Sequence, residues 1–285
     1  MSSANGRIEK RFDALKTEGR AGLVTFIMAG DPDQATTLEI LHGLPAAGAD
    51  IIEIGMPFSD PMADGPAIQE AGLRALGRGM TLIKTLEIVK QFRATNDDTP
   101  VILMGYFNPI FNHGVEAFLK DAKTAGVDGL IIVDLPPEED EELCKPAIAA
   151  GLRFIRLATP TSDDARLPKI VANASGFIYY VSIAGITGAQ APDAAMVAKS
   201  VARLQRHTDL PIAIGFGIST SEQAAEFATV ADAVVVGSAI VKVIKANIGD
   251  DGKPLSGLVE KVLGFVSNLG QAVKATRKSD RRKAI

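Results

Sequence analysis

Short apolar runs, many of them β-branched, recur at regular intervals and alternate with stretches of helical character. No other feature narrows the possible folds of this chain as much. The runs cover residues 23–29, 51–55, 101–106, 129–135, 154–159, 177–182, 212–216 and 233–237. They are apolar almost without interruption, as strands of a parallel sheet covered on both faces must be. The segments between them are rich in Ala, Leu, Glu and Lys. In residues 81–92, Leu82, Leu86 and Val89 share one helical face; in residues 115–125, Ala117, Phe118, Ala122 and Ala125 form the apolar side. Gly48, Gly126 and Gly151 close such helices just ahead of the next run.

Eight strand–helix units without a Pro/Gly/Ser-rich linker predict an α/β fold, a single (β/α)8 TIM barrel, and 285 residues suffice for one. The competing doubly wound sheet has fewer strands and opens with a glycine-rich turn. Here the first run leads into Met28-Ala-Gly-Asp-Pro32, which is not that turn. Residues 7–17 predict an extra N-terminal helix capping the barrel bottom. The barrel domain is expected over 1–270, with 271–285 a basic, frayed tail. A net charge of −4 gives no reason to expect nucleic-acid binding. The polar N-terminus is unlike a secretory signal, and no apolar run is long enough for a membrane span. Cys144 stands alone, which excludes an internal disulfide and fits the cytoplasm. His42, His113 and His207 are scattered, so no metal site is expected.

Active sites of such barrels lie at the C-terminal strand ends, so unusual polar residues there carry the information. Glu53 sits between Ile52 and Ile54 in the second run. If those isoleucines face the helices, alternation points the carboxyl into the barrel. Burial would raise its pKa toward neutrality, which suits proton transfer; a buried Glu satisfied by a neighbouring Lys or hydroxyl is the bland alternative. The following loop holds Pro57, Pro61 and Pro66 around Asp60 and Asp64. The prolines stiffen it. Its aspartates are either turn formers or ligand contacts, and the pattern alone does not decide. Glycines recur after the sixth to eighth runs, in Gly185-Ile-Thr-Gly188, Gly215-Phe-Gly-Ile-Ser-Thr220 and Gly237-Ser-Ala-Ile240. Together with a helix N-terminus after the last run, they predict a phosphate site. Phe26, Tyr106 and Tyr179, if inward, would form a slot for a planar group; core packing explains any one of them equally well.

The segment Glu53-Ile-Gly-Met-Pro-Phe-Ser-Asp-Pro-Met-Ala-Asp-Gly-Pro66 closely resembles the signature of the tryptophan synthase alpha chain family. So do Phe26-Ile-Met-Ala-Gly-Asp-Pro32, Met104-Gly-Tyr-Phe-Asn-Pro109, Ile132-Val-Asp-Leu-Pro136 and Gly237-Ser-Ala-Ile-Val-Lys242, in the expected order over residues 11–265. The resemblance implies cleavage of indole-3-glycerol phosphate to indole and glyceraldehyde 3-phosphate, with Glu53 and Asp64 as catalytic carboxylates and Tyr179 as an active-site tyrosine. It places Gly188, Phe216, Gly217, Gly237 and Ser238 around the phosphate, and Thr187 on a loop that closes over substrate. Phe26 and Tyr106 are expected to line the ring pocket. Pro57, Asp60 and Asn108 match positions facing a beta chain, which would carry pyridoxal phosphate and receive indole within an α2β2 complex. No cofactor is expected in this chain. Some relatives have a basic residue where Ile183 stands, which bears on how that loop is anchored. Two other functions remain to be weighed: a sugar-phosphate isomerase or epimerase on the same barrel, and a catalytically silent binding subunit.

Overall fold

The computed structural model describes residues 6–182, 194–215 and 217–276. Strands form wherever the apolar runs predict them. They are β1 (Gly22–Met28), β2 (Ile51–Gly55), β3 (Val101–Gly105), β4 (Gly129–Ile132), β5 (Arg153–Phe154), β6 (Arg156–Ala158), β7 (Ile178–Val181), β8 (Ile212–Gly215) and β9 (Ala233–Val236). The fifth run, expected as one strand, is split at Ile155. Its first half pairs with β4 and its second half with β7, so the break falls where the ladder changes partner. All neighbours pair in parallel, in the order β5-β4-β3-β2-β1-β9-β8-β7-β6. Backbone bonds from Ile155 N–H to the Leu130 carbonyl and from Ser175 N–H to the Phe154 carbonyl, both 2.9 Å, bridge the break. The result is a nearly closed TIM barrel of eight strand positions.

Alternation along the strands creates two apolar compartments. Leu23, Ile27, Ile52, Ile54, Val101 and Leu103 face outward and join the layer shared with the helices. Val24, Ile51, Ile102, Ile131 and Phe177 face inward. The N-terminal helix, Arg7–Glu18, buries Ile8, Phe12 and Leu15 in that inner cluster and so plugs the bottom of the barrel as the sequence predicts. Each such side chain contributes roughly 1.5–3 kcal/mol relative to exposure. Phe12 meets Phe177 at 5.7 Å between ring centroids, in a tilted arrangement.

Local sequence sets the helix ends. Asp33, Thr81 and Thr220 cap the helices Gln34–Ala47, Leu82–Arg93 and Ser221–Ala228 with their side-chain oxygens. Gly48, Gly126 and Gly151 all have positive φ, as the helix-ending positions require. The helix Val115–Ala125 buries Phe118, Leu119, Ala122 and Ala125; Ala117, expected on that face, is exposed, and the larger Leu119 takes the core position. The boundary expected at residue 270 also moves. The last helix, Leu258–Ala275, runs through it because Val266, Leu269 and Val273 continue one buried stripe. The remainder of the expected tail, 277–285, lies outside the described residues. No helix among the described residues is long and apolar enough to cross a membrane.

Candidate active site

The inward face of β2 carries a carboxyl group. In register with Glu53 lie Phe26 on β1 and Ile102 on β3, so three neighbouring strands present these side chains to the barrel interior. Glu53 is 1% exposed, and its Oε1 has no hydrogen-bond partner among the described residues. Ile52 and Ile54 do face the helices. The expected alternative of a Glu neutralised by Lys or bonded to a hydroxyl is therefore not what the structure holds for Oε1. Burial alone pushes the carboxyl up to about 8, so the proton is retained near neutral pH. Tyr179 on β7 is also buried and inward. Its hydroxyl is raised by burial and by the Glu53 charge, which sets the two groups within electrostatic reach across the barrel. Tyr180 turns to the outer layer, as alternation requires.

Two glycines make room for these rings. A Cβ on Gly215 would stand 2.2 Å from the Tyr179 hydroxyl oxygen, and one on Gly55 would stand 2.6 Å from Phe26 Cζ. Gly215, expected to approach an anion, is thus explained first by the tyrosine it accommodates. Met104, Val133, Leu157 and Val181, half-buried, pack on the upper side of the inner cluster. The motif reading missed this apolar wall. The parity of Met104 with Ile102, and of Val181 with Tyr179, is the signal that would have found it.

The loop after β2 is tied down by its own turns: Met62 N–H donates to the Asp60 carbonyl at 2.9 Å and Asp64 N–H to the Pro61 carbonyl at 3.0 Å. Its two aspartates differ. Asp60 is exposed and accepts from the Ser59 hydroxyl at 2.6 Å. Asp64 is half-buried, raised by desolvation to about 6, and opposed in that shift by a hydrogen bond from Tyr106. The Tyr106 hydroxyl also accepts from Ala63 N–H at 3.0 Å. Pro57 is buried in the isolated chain, while Asn108 is exposed on the short helix Phe107–His113. Met62 (83% exposed) and Phe111 (64%) are large apolar side chains left bare on this loop and this helix.

After β8 and β9, Gly217 has φ +87° and is exposed, and Gly237 precedes the helix Ser238–Lys245. That helix has no side-chain cap, and an uncapped N-terminus of this kind favours a negative charge. The helix Ser221–Ala228, by contrast, is closed by a capping box between Thr220 and Gln223, which satisfies its own N-terminus. Thr187, Gly188 and Phe216 lie outside the described residues, as do Ile183 and Gly185. Among the described residues no group of His, Cys, Asp and Glu side chains is assembled to hold a metal ion.

A buried, protonated carboxyl on β2 and a second, ionisable one on the loop after it thus stand near the uncapped helix end after β9, one strand away across β1. A family model for the tryptophan synthase alpha chain matches residues 12–272 of this sequence. The chain belongs to the tryptophan synthase alpha chain family. Its backbone is similar to that of tryptophan synthase subunit alpha from Legionella pneumophila, with a TM-score of 0.86 and 38% identity over 96% of this chain and 100% of that one. A structure of Mycobacterium tuberculosis tryptophan synthase matches with a TM-score of 0.85 and 31% identity, covering 95% of this chain and 99% of that one. A protein of Aquifex aeolicus matches with a TM-score of 0.84 and 37% identity, covering 94% and 99%. As a member of the tryptophan synthase alpha family, the chain is a lyase of tryptophan biosynthesis. It cleaves indole-3-glycerol phosphate to indole and glyceraldehyde 3-phosphate, and the indole passes to a beta chain. Alpha chains of this family use no cofactor.

Proposed function

We propose that Glu53 and Asp64 divide the chemistry of this cleavage between them. The observation that carries the reading is the buried Glu53 carboxyl, whose Oε1 has no partner among the described residues and which burial holds protonated inside the barrel. The reaction is a reverse aldol. The bond between indole C3 and the first glycerol carbon breaks, and its electron pair stays on the ring. Glu53 delivers a proton to C3, which makes the ring a neutral leaving group once the bond opens. The Glu53 carboxylate so formed takes the proton from the hydroxyl on the departing carbon, which becomes the aldehyde of glyceraldehyde 3-phosphate. The acid is thereby restored. Protonation at C3 places positive charge on the ring nitrogen, and the Asp64 carboxylate accepts the N–H and stabilises that charge. A pKa of about 8 lets one group serve as acid and then base near neutral pH.

Phe26, Tyr106 and Tyr179 line the ring pocket in this reading, with Met104, Val133, Leu157 and Val181 completing the wall. Gly217, Gly237 and Ser238, with Thr187, Gly188 and Phe216 by resemblance, hold the phosphate against the helix Ser238–Lys245. Exposed Asp60 and Asn108, the bare Met62 and Phe111, and Pro57 at the loop base mark the face toward the beta chain. That chain carries the pyridoxal phosphate, in a cytoplasmic α2β2 assembly. Glu53→Gln tests the catalytic reading: indole release should fall by about 10²–10⁴-fold while phosphate binding persists. Retained turnover would sink it. Mixing the chain with a beta chain, then weighing the complex and following indole, tests the assembly; a failure to form a stoichiometric complex would overturn it.

A further inference from the structure

Tyr106 stands one residue beyond β3, where the chain turns into Phe107–His113. Its ring is 3% exposed and lies against Phe58, with centroids 5.4 Å apart. Its hydroxyl accepts a hydrogen bond from Ala63 N–H at 3.0 Å and bonds to the Asp64 side chain. A phenol has one proton and two lone pairs. With a lone pair given to Ala63 N–H, the proton is free for a carboxylate. The charged groups acting on this hydroxyl are Asp64 and, more weakly, Asp134. Asp134 already accepts from Phe107 N–H at 2.9 Å. The side-chain hydrogen bond of this hydroxyl is to Asp64, which takes the phenol proton. Phe58, Ala63 and Asp64 all belong to the loop after β2, so a single side chain from the neighbouring strand grips that loop at three points.

We propose that Tyr106 is a positioning residue whose hydroxyl holds the Asp64 carboxylate, and the loop carrying it, in the orientation the cleavage uses. The inference rests on the reading of Asp64 as the group at the ring nitrogen. A carboxylate has lone pairs enough to accept from the phenol and still take an N–H donor. The same bond favours the charged carboxylate against the burial that raises it, so it keeps Asp64 ionised at lower pH. Burial and the two carboxylates raise the Tyr106 hydroxyl well above its ordinary value, so it stays a donor throughout the working range.

Tyr106→Phe tests this, because it removes the hydroxyl and keeps the ring on Phe58. Steady-state indole release from indole-3-glycerol phosphate would be followed across pH, with the beta chain present, for Y106F, Asp64→Asn and the double variant. Loss of a hydrogen bond to a charged group should lower kcat by roughly ten- to a hundredfold with little change in KM. The acid limb of kcat should also move to higher pH, a shift that a merely loosened loop would not produce. In the double variant Y106F should add nothing to D64N, since the two act through one contact. A normal kcat in Y106F, or a lowered kcat with its acid limb unmoved, would overturn the role of Tyr106 while leaving that of Asp64 standing. A normal kcat in D64N would instead overturn the Asp64 reading.

Discussion

The two ends of this barrel are made from the same strands and yet differ in almost every polar detail. At the bottom, Ile8, Phe12 and Leu15 close the interior, and charged groups around the rim are engaged with one another. Arg20 bonds both oxygens of buried Asp50 at 2.9 Å, and Asp50 also accepts from Leu23 N–H at 2.9 Å. Arg93 and Arg7 share Asp128 at 2.6 and 3.0 Å. A cleft of about 220 Å³ opens there, lined in part by Arg11, Arg20, Asp50 and Asp98, but these charges are already paired among themselves. At the top, Glu53 is as buried as Asp50 and has no cation beside it among the described residues. Both are carboxyl groups at nearly the same depth of burial; one is tied to an arginine and serves stability, the other is left ready to exchange a proton. Burial alone does not mark a functional group. What sets Glu53 apart is burial inside the barrel with no cation acting on it among the described residues.

The sharpest way to break this contrast is to treat both ends alike. Glu53→Gln should abolish most turnover, and it should also stabilise the fold at alkaline pH. The folded-state pKa of Glu53 is raised, from 4.5 to about 8. The proton bound in the folded state therefore supports stability at low pH, and that support is lost as pH rises from about 4.5 through 8. The loss approaches about 1.4 kcal/mol per pH unit in that window, a few kcal/mol at most. Melting curves at pH 6 and at about pH 9 should show wild type weakened at the higher pH and E53Q much less so. An equal loss in both would mean that Glu53 is not the buried acid it is taken for.

Arg20→Ala makes the reverse experiment at the bottom. It strands Asp50 and should destabilise the fold by about 3–5 kcal/mol, with kcat unchanged in whatever remains folded. A loss of kcat without a loss of stability would blur the division between the ends. Gly215→Ala should act at the top through packing. Its new methyl meets the Tyr179 hydroxyl, so stability should drop by roughly 1–3 kcal/mol and indole release should slow as the ring tilts. Normal turnover in G215A would remove Tyr179 from the site. The smallest effect is in the wild type itself. If Asp64 must be ionised and Glu53 protonated, kcat/KM should be bell-shaped with limbs at about 6 and about 8, falling less than about twofold within a unit of its maximum and about tenfold within two. A profile flat across that range would separate these groups from catalysis.

Much of this was legible in the amino-acid order. The eight apolar runs, the glycines that end the helices and the Ile–Glu–Ile pattern of 52–54 come from local rules of periodicity, and such rules act over a few residues. The inward aim of Glu53 followed from alternation alone. The pattern could not separate Asp60 from Asp64, since both stand among prolines in one loop. What separates them is a phenol from another strand, 42 positions beyond Asp64. Nor could it tell which of the glycines near the mouth face an anion. Gly215 is explained by the ring of Tyr179, 36 positions earlier.

The barrel, its closed bottom and the carboxyl inside it are written in the amino-acid order, because strand and helix periods depend on near neighbours along the chain. That Glu53 Oε1 has no partner among the described residues, that Asp64 has one, and that the fifth strand breaks at Ile155 to change neighbours were matters for the folded chain alone. Solvation and pairing depend on which side chains meet across the barrel, and that is settled by the closing of the sheet rather than by any stretch of it.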